Sequence, residues 1–236
     1  MLKKFFLSVA LCAGICGSCF ALDGKEVDDL GYEAMANAIL DSDLTAAWYL
    51  YHSNPEKYTR LKNDEFEWGD AVKEAKENFA KISEQYKNYS KDKTFVSLLS
   101  AEFGEYNFEK EAFPIERFIS SNSYVNIGDS SSINSSSHGS NNVCCSKLVF
   151  DNVNEEKHFI KMPKEEAKGF LKGKKDKWGN IKRQIGVDIE FGVSKSELSE
   201  TLTHPNDYAI IKVTGHIKKL IVRDMDGKIL STIDYE

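Results

Sequence analysis

The fold is organised around residues 181–195, which read IKRQIGVDIEFGVSK. From Ile185 to Val193 every second residue is large and apolar, and the residues between them are small or acidic. Successive side chains of a strand point to opposite faces, so this alternation predicts a strand with one buried face. Such a face needs a partner surface, which the rest of the chain must supply.

Residues 22–93 have the pattern of a helical region. Apolar residues recur at steps of three and four between residues 27 and 51, which predicts two helices. The Asn-Pro pair at residues 54–55 predicts the start of a short third helix, because proline is favoured at the first helical position. A longer helix is expected within residues 63–89, with an apolar stripe that packs on other helices or on the sheet.

Residues 94–236 are predicted to form an antiparallel β-rich domain of the α+β class. A hairpin is expected around Asn154, followed by a short helix from Pro163 and a second short helix at residues 194–204. Residues 207–235 contain further strands, and the Asp-Gly pair at residues 226–227 is a strong hairpin signal. The predicted fold is therefore an N-terminal helical segment followed by a mainly antiparallel β-sheet with one or two short helices.

A segment at about residues 120–146 is crowded with serine and asparagine and has almost no large apolar residue after Ile133. This composition is typical of a disordered surface loop. Within it lie Cys144 and Cys145, the two cysteines that follow residue 21. In an oxidising compartment they could form a vicinal disulfide, which we favour, pair with other chains, or stay as thiols.

The first 21 residues have the pattern of a secretory signal peptide. Lys3 and Lys4 precede an apolar run, which small residues follow up to Ala21. The run is shorter than the roughly 20 residues that cross a bilayer, and no later segment of the chain is apolar enough to do so. We expect an exported bacterial protein of the periplasm or cell exterior, with a lipid anchor on a cysteine near residue 21 as the less favoured alternative.

The charge of the chain excludes a general nucleic-acid binder. The formal net charge is −6, and without residues 1–21 the balance becomes −8, with 29 basic and 37 acidic residues. A protein that binds nucleic acid without sequence preference needs the opposite sign.

One segment departs from this acidic average. Residues 161–183 hold nine basic residues against three acidic ones. The basic tip, as we call its most concentrated part, consists of Lys172, Lys174, Lys175, Lys177 and Trp178. It is either a solvated or internally paired surface, or a contact for an anionic envelope component or an unknown protein, with tryptophan as the apolar anchor.

Catalytic and metal-binding motifs are weak in this sequence. Gly128-Asp129-Ser130 resembles an element of one family of esterases and lipases, in which the serine is the nucleophile, but the Asp-x-x-His motif of that family is missing. No histidine pair has metal-ligand spacing. We predict no catalytic, cofactor or metal residue and favour a non-enzymatic binding or interaction module. The alternative is a small secreted hydrolase that gathers Ser130 with His158 or His204.

Overall fold

The structure, a computed structural model, describes residue 22 and residues 24–37, 43–127, 146–199 and 210–235. Four features named above lie outside these described residues: the signal segment, Ser130, the cysteine pair Cys144 and Cys145, and His204. What the sequence suggests about them therefore stays a prediction. The same holds for most of the segment rich in serine and asparagine, of which residues 120–127 and residue 146 are described.

The helices of the described part are concentrated before residue 85. They are α1 (Gly24–Asn37), α2 (Asp43–Ser53), α3 (Pro55–Leu61), α4 (Glu67–Ile82) and, later in the chain, α5 (Lys164–Gly173). Asn54 caps α3 by accepting a hydrogen bond from the Lys57 N–H at 2.9 Å. Just before α4, the Asp64 carboxylate accepts the N–H groups of Phe66 and Glu67, both at 2.9 Å.

The predicted α+β class is confirmed by the sheet. Its strands are β1 (Phe95–Phe103), β2 (Ala112–Glu116), β3 (Val125–Ile127), β4 (Ser146–Phe150), β5 (Phe159–Lys161), β6 (Gln184–Ser199), β7 (Ile210–Arg223) and β8 (Ile229–Asp234). The order is β3-β4-β7-β6-β1-β2-β5, and β8 pairs with β7. The β4–β7 pair is parallel and the other pairs are antiparallel.

The predicted central strand is β6, which lies between β1 and β7. Ile185, Val187, Ile189 and Phe191 are fully buried, as the alternation predicts. The prediction of a second short helix at residues 194–204 is wrong for residues 194–199, because β6 continues to Ser199 and pairs there with β7. Pairing with a long neighbouring strand outweighs the weak helical pattern of this stretch.

A β-bulge changes the inward face of β6 near its end. Val193 pairs with Gly215 and Lys195 pairs with Thr214, which leaves Ser194 as an extra residue. Beyond the bulge Ser196 is buried, and its hydroxyl donates to the carbonyl of Leu30 at 2.8 Å. The bulge therefore ends the apolar face of the strand and turns a hydroxyl towards α1.

Of two turns predicted between strands in the second half of the chain, the structure contains one. Residues 224–227 form the predicted turn between β7 and β8, with Gly227 at φ +84°. The hairpin predicted around Asn154 is wrong, because β4 pairs with β3 and β7 whereas β5 pairs with β2. The Asn152 side chain accepts the Ile217 N–H and donates to the Ile217 carbonyl, both at 2.8 Å, which holds this connection against β7.

The core lies between the curled sheet and the helices packed on it. Leu30 and Met35 of α1 are fully buried in the same cluster as the apolar face of β6. At another part of that cluster, the Phe170 ring of α5 lies 5.2 Å from the ring of Phe103 and 5.6 Å from that of Phe113. Among the helices described, none has the length and apolar character needed to cross a membrane.

Candidate functional site

The basic tip is built on a tight turn that Asp176 organises. One carboxylate oxygen of Asp176 accepts the N–H of Trp178 at 2.8 Å and the N–H of Asn180 at 2.9 Å. The Asp176 N–H in turn donates to the Asn180 carbonyl at 2.8 Å, and Gly179 adopts φ +90°. Partial burial raises the pKa of Asp176, but the hydrogen bonds that its carboxylate accepts outweigh this effect. The pKa of Asp176 is therefore lower than its ordinary value.

Trp178 stands out from this turn into solvent. Its side chain is 76 % exposed, and the Lys177 ammonium lies 4.2 Å from the ring centroid. Lys172 and Lys175 are exposed as well. A large aromatic side chain held in the open beside cations is an arrangement that suits contact with a partner.

Lys174 differs from the other lysines of the basic tip. Its side chain is 15 % exposed, and its ammonium lies 3.6 Å from Asp224 and 5.5 Å from the Phe170 ring centroid. The structure therefore places this lysine at the base of the turn, where it joins the tip to the turn between β7 and β8. Asp224 is a residue that the sequence did not connect to the tip.

The base of the tip is anchored in the fold on both sides. The Lys182 N–H donates to the Lys174 carbonyl at 2.9 Å, and Lys175 forms a β-bridge with Ile181. The guanidinium of Arg183 donates to the carbonyls of Phe103 and Gly104 at the end of β1. Because these contacts fix both ends of a short segment, the fold sets the position of the backbone that carries Trp178.

The surroundings of two histidines bear on the hydrolase alternative. His158 is buried, and its Nε2 atom lies 2.6 Å from the phenolic oxygen of Tyr235. His216 Nδ1 lies 2.8 Å from one oxygen of Asp151, and the Ser194 hydroxyl lies 3.0 Å from the other. The carboxylate thus lies between serine and histidine, whereas a triad requires the histidine next to the serine as its base.

Metal binding has no geometric support within the described ranges. Residues 22, 24–37, 43–127, 146–199 and 210–235 contain no group of three or more His, Cys, Asp or Glu side chains that could hold an ion. Besides the tip, the described residues also form a cleft.

This cleft lies between α1, the turn that follows the helices, and the bulged end of β6, and it has a volume of about 640 Å³. Glu33 is part of its wall and is 5 % exposed. Glu33 is not among the predicted site residues, although the sequence carries a signal for it, because it lies three residues after Leu30, on the apolar stripe of α1. A carboxylate on a buried helix face needs a partner, and this requirement marks the position.

Comparison with known proteins gives one match. A family described as a domain of unknown function, DUF4852, matches residues 41–173, which is more than half of the chain, and the protein belongs to this family. The matched range includes α2 to α5 and β1 to β5, together with Lys172 of the basic tip. Nothing among the curated proteins or the solved structures matches the chain.

Proposed function

We propose that this member of the DUF4852 family is an exported, non-enzymatic binding protein of the periplasm or cell exterior. In this proposal the basic tip contacts an anionic lipid surface of the envelope. The export part rests on the signal pattern of residues 1–21 and the binding part rests on the geometry of residues 172–178.

The observation that carries the binding part is the exposure of Trp178 on a hydrogen-bonded turn. A 76 % exposed tryptophan loses contact with water over a large area when it enters a lipid headgroup region. Since the Asp176 carboxylate already fixes the backbone of the turn, little backbone conformational entropy is lost when the turn binds a surface.

The neighbouring charges support the same partner. Lys172, Lys175 and Lys177 are exposed on a chain whose formal net charge is −6. The net charge of the whole molecule is therefore repelled by an anionic surface, and the attraction has to come from the exposed lysines of the basic tip. Long lysine stems also contact apolar surface while their ammonium groups reach phosphates.

The experiment is co-sedimentation of the purified protein with vesicles. One set contains anionic phospholipid and the other contains zwitterionic phospholipid alone, each at about 0.01 M and about 1 M salt. We expect binding to the anionic vesicles at low salt and its loss at high salt, and Trp178→Ala should weaken it. Equal binding to both vesicle types, or no binding at low salt, would contradict the proposal. Retention on an anionic polymer without binding to vesicles would assign the tip to a different partner.

A further inference from the structure

The two edges of β1 differ in how much of the strand they pair. On one edge, β6 pairs with β1 from Phe95 to Glu102. On the other edge, β2 pairs only with Glu102 and Phe103, and β2 ends at Glu116, before Arg117 at φ +51°. Within the part of the chain that the structure describes, most of β1 therefore has one edge without a neighbouring strand.

The direction of the backbone groups of β1 follows from its two ladders. The Phe103 N–H donates to the Arg183 carbonyl, in continuation of the ladder with β6, whereas the Gly104 N–H donates to the Pro114 carbonyl on the other edge. Backbone groups alternate between the two edges of a strand, so the N–H and C=O groups of every second residue of β1 point away from β6. Those beyond the reach of β2 are Val96, Leu98 and Ser100.

The free edge, as we call residues 96–100, has no hydrogen-bond partner for these outward groups among the described residues. Val96 is 51 % exposed, Leu98 is 37 % exposed, and Ser100 is exposed as well. From Phe95 to Ala101 the strand contains no charged residue and no proline. Folded proteins normally protect a strand edge with lysine, proline or a bulge, so an unprotected edge indicates pairing with another strand.

We propose that the free edge pairs with the free edge of a second copy of this chain, antiparallel, about a two-fold axis at Leu98. In this register Leu98 lies opposite the partner's Leu98, and Val96 lies opposite the partner's Ser100. Each outward residue exchanges its N–H and C=O hydrogen bonds with the residue opposite. The exposed apolar side chains gain contacts across the axis, because Val96 also lies diagonal to the partner's Leu98.

The length of β1 fits this arrangement. The strand begins at Phe95, which in this register lies opposite the partner's Ala101. The next position along the partner's strand is Glu102, and β2 of the partner already pairs there. The added strand therefore ends just before it would meet β2, and a longer uninterrupted segment would collide with that strand.

The charges at the two ends of β1 favour the antiparallel direction. Lys91 and Lys93 are exposed before the start of the strand, and Glu102 and Glu116 lie at its other end. Each end also holds one residue of the opposite charge, which leaves the start basic and the end acidic. An antiparallel pair brings the basic start of each copy to the acidic end of the other, whereas a parallel pair would place like charges together.

Sedimentation velocity of the purified protein tests this pairing. We expect a monomer–dimer equilibrium between about 1 μM and about 1 mM protein, because a short ladder forms an interface of the small, weak class. The pairing does not use the basic tip, so the measurement needs no lipid.

Two double variants at the same positions test the register. Val96→Lys with Ser100→Lys places lysines opposite each other across the axis and should weaken dimerisation at least about tenfold, although it makes the net charge of each copy less negative. Val96→Lys with Ser100→Glu places each lysine opposite a glutamate of the partner and should dimerise at least as well as the unchanged protein. Within one chain these side chains lie about 13 Å apart and do not pair. Both positions are exposed, so both variants should fold, which circular dichroism checks.

A protein that stays monomeric up to about 1 mM would overturn the proposal. A dimer that the variant with two lysines forms as readily as the unchanged protein would also overturn it, because the interface would then lie elsewhere. Equal weakening of the two double variants would contradict the antiparallel register at Leu98. Vesicle binding by the basic tip does not depend on any of these outcomes.

Discussion

The Nε2 atom of His158 lies 2.6 Å from the phenolic oxygen of Tyr235, and this contact joins the start of β5 to the end of β8. The Tyr235 hydroxyl also lies 3.3 Å from the Asn154 carbonyl, to which it donates, and Lys157 donates to the Asp234 carbonyl at 2.9 Å. β5 is the last strand of the order that begins at β3, whereas β8 pairs with β7 outside that order, and β5 and β8 are not paired with each other. These side-chain contacts thus hold the sheet in its curled form where no backbone ladder is formed.

The first prediction concerns pH. Burial lowers the pKa of His158 below its ordinary value of 6.5, while the charge of Glu155 acts in the opposite direction. The unfolded chain therefore binds the proton more readily than the folded one. The free energy of unfolding should be highest above pH 6.5 and should fall as the pH drops from 6.5 through the lowered pKa.

Urea unfolding at a series of pH values measures this dependence. His158→Gln should flatten the decrease below pH 6.5, whereas the control His216→Gln, which changes an exposed histidine, should retain it. An undiminished decrease in the His158→Gln protein would show that other groups are responsible.

The second prediction concerns Gly215 of β7. A Cβ atom at this position would lie 2.8 Å from the ring of Phe191 and 2.9 Å from the ring of Phe150, both of which are buried. Gly215→Ala should therefore lower the free energy of unfolding by about 1–3 kcal/mol, as overpacking does.

Gly169 of α5 is the matched comparison, because a Cβ atom there meets nothing within 4 Å. Gly169→Ala should raise the free energy of unfolding by up to about 1 kcal/mol, the difference in helix propensity. Denaturant unfolding of both proteins gives the signs, and a stabilised Gly215→Ala protein would contradict the close packing of β7 against the two rings.

The third prediction concerns the hydrogen bonds between Ser90 and Glu33. Ser90→Ala removes the hydroxyl that donates to the buried carboxylate and leaves the backbone donor in place. The free energy of unfolding should decrease by about 1.5–3 kcal/mol, since a buried charged acceptor loses a donor.

Ser100→Ala, an exposed serine of β1, is the control and should change the free energy of unfolding by less than about 0.5 kcal/mol. Equal effects of the two substitutions in guanidinium unfolding would mean that the hydrogen bond from the Ser90 hydroxyl to Glu33 contributes nothing specific to stability.

The parts of the fold that depend on local patterns were predictable. The alternation from Ile185 to Phe191 identifies β6, because a strand with one buried face imposes a period of two. Asn54 and Pro55 identify the start of α3, and the Asp-Gly pair identifies the last turn. Each of these signals lies within a few residues of the structure that it specifies.

Features that depend on distant pairing were missed for the opposite reason. The extra residue Ser194 is defined by the register of β6 against β7, and this register has no local signature. The partner of β4 is β7 rather than β5, and the side chain of Asn152 that fixes this choice contacts Ile217, 65 residues away. The cleft is bordered by the bulged end of β6 and was therefore also out of reach.

The basic tip is predictable from charge alone, but the sequence does not show which of its lysines are exposed. Lys174 and Lys175 are adjacent in the chain, yet Lys174 is directed to Asp224 and Lys175 is exposed. This difference depends on the turn between β7 and β8, about 50 residues later in the chain. Composition indicates a charged segment, and the fold determines which charges remain available.

The measurement that tests the central claim most directly is the affinity for anionic vesicles of a triple variant of the tip. Lys172→Gln, Lys175→Gln and Lys177→Gln together should lower the affinity about hundredfold, since each lysine near an anionic surface contributes about 1 kcal/mol. The control triple variant, Lys62→Gln, Lys73→Gln and Lys81→Gln, changes the net charge equally in the helical part and should bind almost as the unchanged protein does. Equal losses in the two variants would show that overall charge governs binding and would contradict a specific role for the basic tip.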